Sequence, residues 1–213
     1  MKNLRELRED YRRGSLELSD LPTSPDVLFE KWQQDAIDSE FPDPNAFVLA
    51  TAGSDGTPHQ RIVLLKDMQD GGFVFYTNYT SNKADDIEAN ARVSMLFPWY
   101  IMERQVRIEG TIKKSPRSLS DEYFQSRPRK SQIAAWASHQ SSVVENREVL
   151  ENNYVELEKK FKGTDIPTPE FWGGYTIRAE RFEFWQGRQN RLHDRFQYSK
   201  NKNGKWHIER LAP

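Results

Sequence analysis

The 213-residue sequence contains no cysteine, and this absence excludes several kinds of chemistry. Disulfide bonds, cysteine-ligated zinc, iron–sulfur clusters and thiol nucleophiles all require that side chain. Histidine is also scarce, and the four residues (His59, His139, His193 and His207) show no metal-ligand spacing. A P-loop and a GxGxxG fingerprint are missing as well, which argues against P-loop nucleotidases and Rossmann dehydrogenases.

Long apolar runs and an excess of one charge are also absent. No apolar run approaches the ~20 residues of a membrane span, and the charged N-terminus does not resemble a signal peptide. We therefore expect a cytoplasmic protein with no membrane partner. The 31 basic and 32 acidic residues give a net charge of -1, whereas nucleic-acid binders usually carry a marked basic excess. We therefore expect no nucleic-acid partner.

The sequence is rich in aromatic residues and arginine instead. It has 12 Phe, 8 Tyr and 6 Trp, and 18 of its 31 basic residues are Arg. The balanced charge favours a folded chain, because disorder requires few core-forming residues together with a large net charge. Arginine is suited to forked contacts with phosphate or carboxylate groups. Since aromatic residues and Arg are enriched at protein interfaces, this composition also suggests an obligate oligomer.

Short runs of Val, Ile, Phe and Leu alternate with turn-forming residues, as in hairpin-linked strands. The pattern predicts a single α+β domain, 1–213, in which six to eight antiparallel strands form a small barrel with flanking helices. The predicted strands are 46–52, 60–66, 72–77, 92–97, 104–113, 174–185, 193–199 and 205–210. The predicted helices are 4–13, 25–40, 82–90, 116–126, 128–137 and 143–161.

The strongest local signal is the segment Arg191-Leu192-His193-Asp194-Arg195. If the segment is a strand, Arg191, His193 and Arg195 share one face. Three such groups repel one another unless an anion or a polar ligand lies among them, which indicates a binding site. A solvated edge strand that uses charge to prevent aggregation explains the same pattern. The spacing alone leaves both interpretations open.

A second signal is the spacing of Tyr123, Arg127 and Ser131, four residues apart. Pro128 is suited to the first position of a new helix, where free backbone N–H groups attract anions. Arg127 and the Ser131 hydroxyl would then surround a phosphate. An ordinary basic turn between two helices is the alternative.

Two further segments carry polar groups next to predicted elements. Arg61 and Lys66 flank an apolar strand, but strand alternation places them on opposite faces, so the sequence alone does not join them in one site. Ser142–Glu145 fits a capping box for the next helix. This would leave Gln140 and Ser141 free to bind a ligand at the positive end of that helix.

Together these segments resemble the pyridoxine/pyridoxamine 5′-phosphate oxidase family. The resemblance follows the chain in order over nearly its whole length. The matching stretches are QRIVLLK (60–66), FYTN (75–78), LFPW (96–99), ERQVRIEG (103–110), YFQSRPRKSQI (123–133), ASHQSS (137–142), FWGG (171–174), FWQG (184–187) and RLHDR (191–195). The resemblance implies an FMN-binding split β-barrel and a homodimer with FMN at the subunit interface. It also implies a mobile N-terminal segment, 1–20, and C-terminal strands, 174–213, that carry RLHDR.

The resemblance assigns roles to particular residues and implies no metal. FMN would be bound by Arg61, Ile62, Val63, Leu64, Leu65, Lys66, Tyr76, Thr77, Lys83, Gln105, Gln140, Ser141, Trp185 and Arg195. The substrate would be bound by Arg8, Tyr11, Lys66, Tyr123, Arg127, Ser131, Arg191, Leu192 and His193, with Arg191 and His193 as the catalytic pair. Family members often carry a basic residue before the Lys83 position, where this chain has Asn82, so one cationic contact to phosphate is missing.

The implied reaction oxidises pyridoxine or pyridoxamine 5′-phosphate to pyridoxal 5′-phosphate, with FMN as hydride acceptor and O₂ as oxidant. Two alternatives remain open at this point. A split-barrel flavin reductase, or a heme-handling relative, would share the FMN segments without needing SRPR and RLHDR. A non-catalytic module that binds pyridoxal phosphate, or contacts nucleic acid through Arg, would carry no flavin.

Overall fold

The computed structural model describes residues 3–6, 10–69 and 71–213. The helices in this part of the chain are α1 (Pro25–Asp38), α2 (Asn82–Ala89), α3 (Arg117–Ser126), α4 (Arg129–Ala137) and α5 (Arg147–Lys160). The strands are β1 (Ala46–Ala52), β2 (Pro58–Leu64), β3 (Asp67–Gln69), β4 (Gly72–Asn78), β5 (Arg92–Phe97), β6 (Arg104–Lys114), β7 (Trp172–Gln186), β8 (Asp194–Lys200) and β9 (Trp206–Arg210).

The nine strands form one antiparallel sheet in the order β2-β1-β5-β6-β7-β4-β3, and β8 joins β7 to β9. The long strand β7 changes partner along its length. Its first half pairs with β4 and its second half with β8, while β6 runs along its other edge. The register of β6 and β7 shifts at Gly110, where a Cβ atom would collide with the carbonyl oxygen of Arg178. Such a shift bends a strand, which is how a sheet curls into a barrel.

Aromatic side chains fill most of the core. Phe29 of α1 makes edge-on contacts with Phe73 and Phe97, at centroid distances of 5.1 and 4.8 Å. Trp32, one turn further along α1, contacts Phe184 in the same way. Edge-on packing is a favoured arrangement of aromatic rings, because the positive edge of one ring meets the negative face of the next. A chain with few aliphatic residues therefore still forms a continuous core.

A second apolar cluster joins the helices to the beginning of β7. It consists of Phe124 in α3, Ile133 in α4, Phe161 and Ile166 after α5, and Trp172 at the start of β7. These contacts fix α3 and α4 against the sheet. Among the described residues, no helix is both long and apolar enough to cross a membrane.

The sequence predicted most strands to within two residues, and nine strands are present instead of six to eight. The additional strand, β3, has only three residues, too few for an alternation pattern. β3 pairs with β4, and among the described strands β2 pairs with β1 alone. The turn that the sequence predicts at DGG, 70–72, includes residue 70, which lies outside the described residues.

Two predicted helix starts are wrong. In place of a helix over 4–13, the described residues show a three-residue 3₁₀ helix, Leu4–Glu6, and no helix over 10–13. Side chains from the barrel hold the segment there, since Glu103 accepts the backbone N–H of Arg13. The capping box predicted at Ser142–Glu145 is also absent, because Asn146 caps α5 by accepting the N–H of Val149.

Candidate functional site

A cavity of about 590 Å³ opens between β2, β4 and the helical region. Four of the described residues that line it are cationic and none is acidic, so its electrostatics favour an anionic ligand. The predicted site residues on its walls are Arg61, Ile62, Val63, Leu64, Lys66, Tyr76, Thr77, Lys83, Tyr123, Arg127, Gln140 and Ser141. Asn82 and Trp172 complete the lining.

Arg61 and Lys66 line the same cavity, although strand alternation predicted opposite faces for them. The reason is that β2 ends at Leu64, so the alternation does not continue to Lys66. Leu65 is buried in the core and does not line the cavity. The backbone N–H of Lys66 donates to the carbonyl oxygen of Val74, which holds this end of the segment beside β4.

Lys83, in the first turn of α2, is buried and holds Gln140. Its Nζ donates to Gln140 Oε1 at 2.9 Å, to Ser81 Oγ at 3.0 Å and to Thr77 Oγ1 at 3.2 Å. Burial, and then the neighbouring charge of Arg61, lowers the pKa of Lys83 to about 8. An anion in the cavity would relieve both effects by stabilising the charged amine.

Gln140 and Ser141 do not lie at the positive end of α5, as the sequence predicted, because that helix begins six residues after Ser141 at Arg147. They lie beside the start of α2 instead. The Ser141 hydroxyl accepts the backbone N–H of Asn82 at 3.3 Å. Ser141 also has a left-handed backbone (φ 71°), a conformation that costs energy for a non-glycine residue and is concentrated at functional sites.

Arg127 lies in the cavity wall beside stacked aromatic rings. Tyr76 and Tyr123 stack with their centroids 3.9 Å apart, and Tyr76 also stacks on Trp172 at 5.4 Å. The Arg127 guanidinium lies 4.8 Å from the Trp172 ring centroid. Burial lowers the pKa of Arg127 and raises that of Tyr123, and burial likewise raises the pKa of Tyr76 to about 12.

Arg127 Nη1 is buried and has no hydrogen-bond partner within the described part of the chain. Leaving a charged donor unsatisfied in the interior costs roughly 1–3 kcal/mol or more. An oxyanion in the cavity would satisfy it. Ser131, predicted to join Arg127 around a phosphate, does not line the cavity; its backbone N–H bonds to the carbonyl oxygen of Pro128.

A second group of predicted site residues lies on the other half of the sheet. Gln105, Trp185 and Arg195 occupy neighbouring positions on β6, β7 and β8. Tyr11 contacts Trp185 edge-on at 5.6 Å, and His193 lies 4.7 Å from the same indole. This group also includes Arg191 and Leu192, which precede His193. Arg8 lies outside the described residues.

The binding-site interpretation of the spacing required residues 191–195 to form a strand, but only the end of this segment is one. Arg191 ends a 3₁₀ helix with a positive φ of 61°, and β8 begins only at Asp194. Arg191, His193 and Arg195 therefore do not share a strand face. The edge-strand alternative is also wrong, because β8 pairs on both sides, with β7 and with β9. Glu183 balances the charge of Arg195 through an ion pair at 2.9 Å.

One ring nitrogen of His193 is used in a hydrogen bond within the protein, and the other is available to a ligand. Its Nδ1 lies 3.1 Å from the backbone nitrogen of Arg188 and accepts that N–H, so the neutral ring carries its proton on Nε2. Burial, and then the charge of Arg191, lowers the pKa of His193, while Asp194 opposes the shift. The ring therefore favours the neutral form near pH 7, with Nε2–H able to donate a hydrogen bond.

The two groups lie near opposite ends of β7. Trp172, in the cavity wall, and Trp185, in the second group, are separated by about 40 Å of extended strand, less where the strand coils. The cavity that the first group lines contains no residue of the second group in its described lining. Residues that the sequence places in a single site are therefore divided between two surfaces of the molecule.

Comparison with known proteins identifies the family of the chain. Residues 33–161 match the family model described as pyridoxamine 5′-phosphate oxidase, and residues 172–213 match the pyridoxine 5′-phosphate oxidase C-terminal dimerisation region. The chain belongs to the pyridoxine/pyridoxamine 5′-phosphate oxidase family. This confirms the resemblance drawn from the sequence motifs. Five members of the second group fall within the dimerisation region: Trp185, Arg191, Leu192, His193 and Arg195.

Individual relatives support the same assignment. The pyridoxine/pyridoxamine 5′-phosphate oxidase of Edwardsiella ictaluri is 50% identical over 211 residues, which cover 99% of this chain and 97% of the relative. The protein of that name from Proteus mirabilis is 51% identical over 208 residues, covering 98% and 95%. Membership of the oxidase family thus rests on essentially the full length of the chain.

Solved structures confirm the split-barrel fold. PhzG from Burkholderia lata 383, in complex with tetrahydrophenazine-1-carboxylic acid, matches with a TM-score of 0.87 and 30% identity, over 94% of this chain and all of the other. A pyridoxamine 5′-phosphate oxidase-related, FMN-binding protein from Nostoc punctiforme PCC 73102 has the same fold, with a TM-score of 0.71, 14% identity and coverage of 91% and 100%.

One residue in the cavity wall of this oxidase-family chain, Trp172, has no role that the sequence patterns predict. Trp172 stacks on Tyr76 and lies under Arg127, yet it had been assigned no role in the site. The available signal was its position in FWGG (171–174), a stretch shared with the family. Its contacts come from residues about 50 and 100 positions away, which local spacing does not show.

Proposed function

We propose that this chain oxidises pyridoxine 5′-phosphate and pyridoxamine 5′-phosphate to pyridoxal 5′-phosphate, with FMN as the cofactor and O₂ as the final acceptor. The observation that carries the proposal is the cavity, whose described lining has four cationic residues and no acidic one. One of these cations, Arg127, has a buried N–H group without a hydrogen-bond partner among the described residues. Both FMN and the substrates are phosphate monoesters, which such a lining suits.

The residues of the cavity fit FMN on one side. Arg61 and Lys83 supply two charges for its phosphate, and Thr77, Gln140 and Ser141 supply hydroxyl and amide groups beside them. FMN, when bound, would supply a hydride acceptor for C4′ of the substrate, with O₂ as the final oxidant and H₂O₂ as its product. The aldehyde then forms directly from the alcohol, or by hydrolysis of an imine, with release of ammonia, from the amine.

The other side of the cavity fits the substrate phosphate. Arg127 offers its unpartnered Nη1, Tyr123 a hydroxyl and Lys66 an exposed amine. Fixing the phosphate at this wall sets the position of the pyridine ring, and orientation of this kind lowers the barrier of a reaction between two bound molecules. We do not include Ser131 in this phosphate site, because it lies away from the wall.

The second group of residues completes the site across a dimer interface. The match to a dimerisation region supports a homodimer. In the proposed arrangement, Trp185 and Arg195 of one subunit contact FMN in the cavity of the other. Arg191 and His193 lie over the substrate ring, where His193 Nε2–H donates a hydrogen bond and both side chains orient the ring for loss of the hydride. Tyr11, which packs on Trp185 and His193, covers the site and excludes water.

One experiment separates this function from its rivals. The purified chain is supplied with FMN, its visible spectrum is recorded, and each phosphorylated vitamer is added under air. We expect a flavin spectrum, and pyridoxal phosphate and H₂O₂ in equal amounts. Retention of FMN without turnover of either vitamer would favour a flavin reductase. Binding of pyridoxal phosphate without FMN would favour a non-catalytic module. Either result would overturn the proposal.

A further inference from the structure

Asp86, on α2, is a buried carboxylate close to the cationic cavity, but it does not line the cavity. Its Oδ2 accepts the hydroxyl of Thr51 at 2.6 Å and lies 3.0 Å from His59 Nδ1. A Cβ atom on Gly53 would lie 3.0 Å from the other carboxylate oxygen, so the absence of a side chain there leaves room for it. An acidic group beside an anion site lowers the site's positive potential, so its presence requires a physical reason.

A chain of two hydrogen bonds explains the presence of Asp86, since it joins Asp86 to Thr51 and Thr51 to Arg61. Arg61 Nη1 donates to Thr51 Oγ1 at 2.7 Å and to the carbonyl oxygen of Leu49 at 3.1 Å. The single proton of the Thr51 hydroxyl is directed to Asp86, which leaves its lone pairs for Arg61. Asp86 Oδ2 also lies 3.8 Å from Arg61 Nη2. Both N–H groups of Nη1 are thus used within the protein, whereas Nε and Nη2 donate no hydrogen bond to the described residues and are left for a ligand.

We propose that Asp86 and Thr51 are positioning residues that hold Arg61 in the orientation that binds the phosphate of FMN. Neither residue is in the described lining of the cavity, so both would act through the guanidinium. A long, flexible side chain loses less entropy on binding when it is already fixed, so the pair strengthens binding of the phosphate. The inference rests on the proposed function, in which Arg61 contacts that phosphate.

The inference is testable because a positioning role and a purely electrostatic role of Asp86 predict opposite changes in FMN binding. If Asp86 acted only as a nearby negative charge, removing it would strengthen the binding of an anion. If it positions Arg61, removing it weakens that binding. Thr51→Val separates geometry from charge, because it removes the hydroxyl while keeping the shape of the side chain and every charge. Asp85→Asn is the matched control, since Asp85 is the exposed neighbour on α2 and the charge change is identical.

The experiment measures dissociation constants of FMN and riboflavin for the full chain, from the quenching of flavin fluorescence. Riboflavin lacks the phosphate. We expect Thr51→Val and Asp86→Asn each to weaken FMN binding about tenfold, the scale of one lost charge-assisted hydrogen bond. Riboflavin binding stays unchanged in both, and Asp85→Asn leaves FMN binding at or slightly above the original affinity. The double variant is no weaker than the worse single one, because both act through Arg61.

Three results would overturn the positioning role: tighter FMN binding by Asp86→Asn, unchanged FMN binding by Thr51→Val, or equal loss of FMN and riboflavin in both variants. The last would indicate general damage to the fold, which thermal unfolding of each variant also detects. Failure of the proposed function has a different signature. In that case the unsubstituted chain itself binds FMN no more tightly than riboflavin.

Discussion

The guanidinium of Arg127 lies over the indole of Trp172, 4.8 Å from its ring centroid, with Nη1 buried and unpaired within the described part of the chain. The aromatic ring attracts the cation and holds the planar group in place without using its N–H donors. The arrangement therefore fixes the guanidinium in the cavity wall while one of its buried nitrogens has no acceptor among the described residues.

Arg127→Lys should raise KM for pyridoxine phosphate about tenfold or more, because an amine neither stacks flat on Trp172 nor makes a forked phosphate contact. We expect kcat to change much less. Arg129→Lys is the matched control, since the Arg129 guanidinium bonds to the carbonyl oxygens of Thr164 and Phe161 and does not line the cavity. Steady-state kinetics of both variants check this, and an equal KM change in the two would contradict it.

Local patterns predicted the sheet well, because alternation is strict where one face is buried. Val106, Ile108, Gly110 and Ile112 of β6 are all buried, whereas the residues that alternate with them, Arg107, Glu109 and Thr111, are not. The same logic was wrong for Arg61 and Lys66 and for the segment 191–195. In both cases the strand ends or begins inside the segment, and nothing in five or six residues of sequence marks that point.

Contacts between residues that are distant in sequence could not be predicted from local patterns, for a different reason. Asp86 and Thr51 are 35 positions apart, and Trp172 meets Arg127 from 45 positions away. Only the order of strands and helices brings them together, and no local periodicity encodes it. The family resemblance supplied the candidate ligand-binding residues, and the structure shows which of them line one cavity.

Arg191 and Arg195 should differ in what they support. Arg191 is exposed, so Arg191→Ala should lower turnover while thermal stability and FMN retention stay unchanged. Arg195 pairs with the buried Glu183, so Arg195→Ala should weaken FMN binding and lower the melting temperature, because that carboxylate loses a partner. Kinetics, flavin fluorescence and thermal unfolding separate the two. Equal, small effects of both variants on activity would contradict roles in the site.

Binding of FMN should weaken as the pH rises through about 8, where Lys83 loses its proton in the cofactor-free protein. Lys83→Met should bind FMN more weakly but with a flatter pH dependence. Riboflavin, which lacks the phosphate, is the control ligand and should show no such change in either protein. Titrations of FMN binding between pH 6.5 and 9 test this, because that range of ~2.5 pH units extends from mainly protonated to mainly neutral Lys83. A slope that persists in Lys83→Met would assign the effect to another group.

The same shift has a consequence for stability. The pKa of Lys83 is lowered from 10.5 to about 8 in the folded protein, so the unfolded chain binds more protons between these values. The contribution of Lys83 to the free energy of unfolding should therefore rise with pH through that window, and should be least favourable below it. Denaturant unfolding of the cofactor-free protein and of Lys83→Met at pH 7 and 9.5 measures the difference. A gap between the two proteins that does not change with pH would contradict the shift.

A site shared between subunits predicts complementation. Arg127→Ala damages the cavity group and Arg191→Ala the second group, so both sites of either homodimer carry a defect. In a mixed dimer, one site combines the two intact halves and the other combines both defects. A symmetric dimer should therefore recover about half of the original activity. Differently tagged subunits allow the mixed dimer to be isolated and assayed.

The control for this experiment is a mixed dimer of Arg127→Ala with Tyr123→Phe. Both substitutions lie in the cavity group, so each site keeps one of the two defects and the activity should be no greater than the mean of the two parent dimers. If Arg127 and Arg191 instead served a site within one subunit, their mixed dimer would also show no recovery. Recovery in the first mixed dimer but not in the control would show that each site combines the cavity group of one subunit with the second group of the other. No recovery in either would show that both groups serve a site within one subunit.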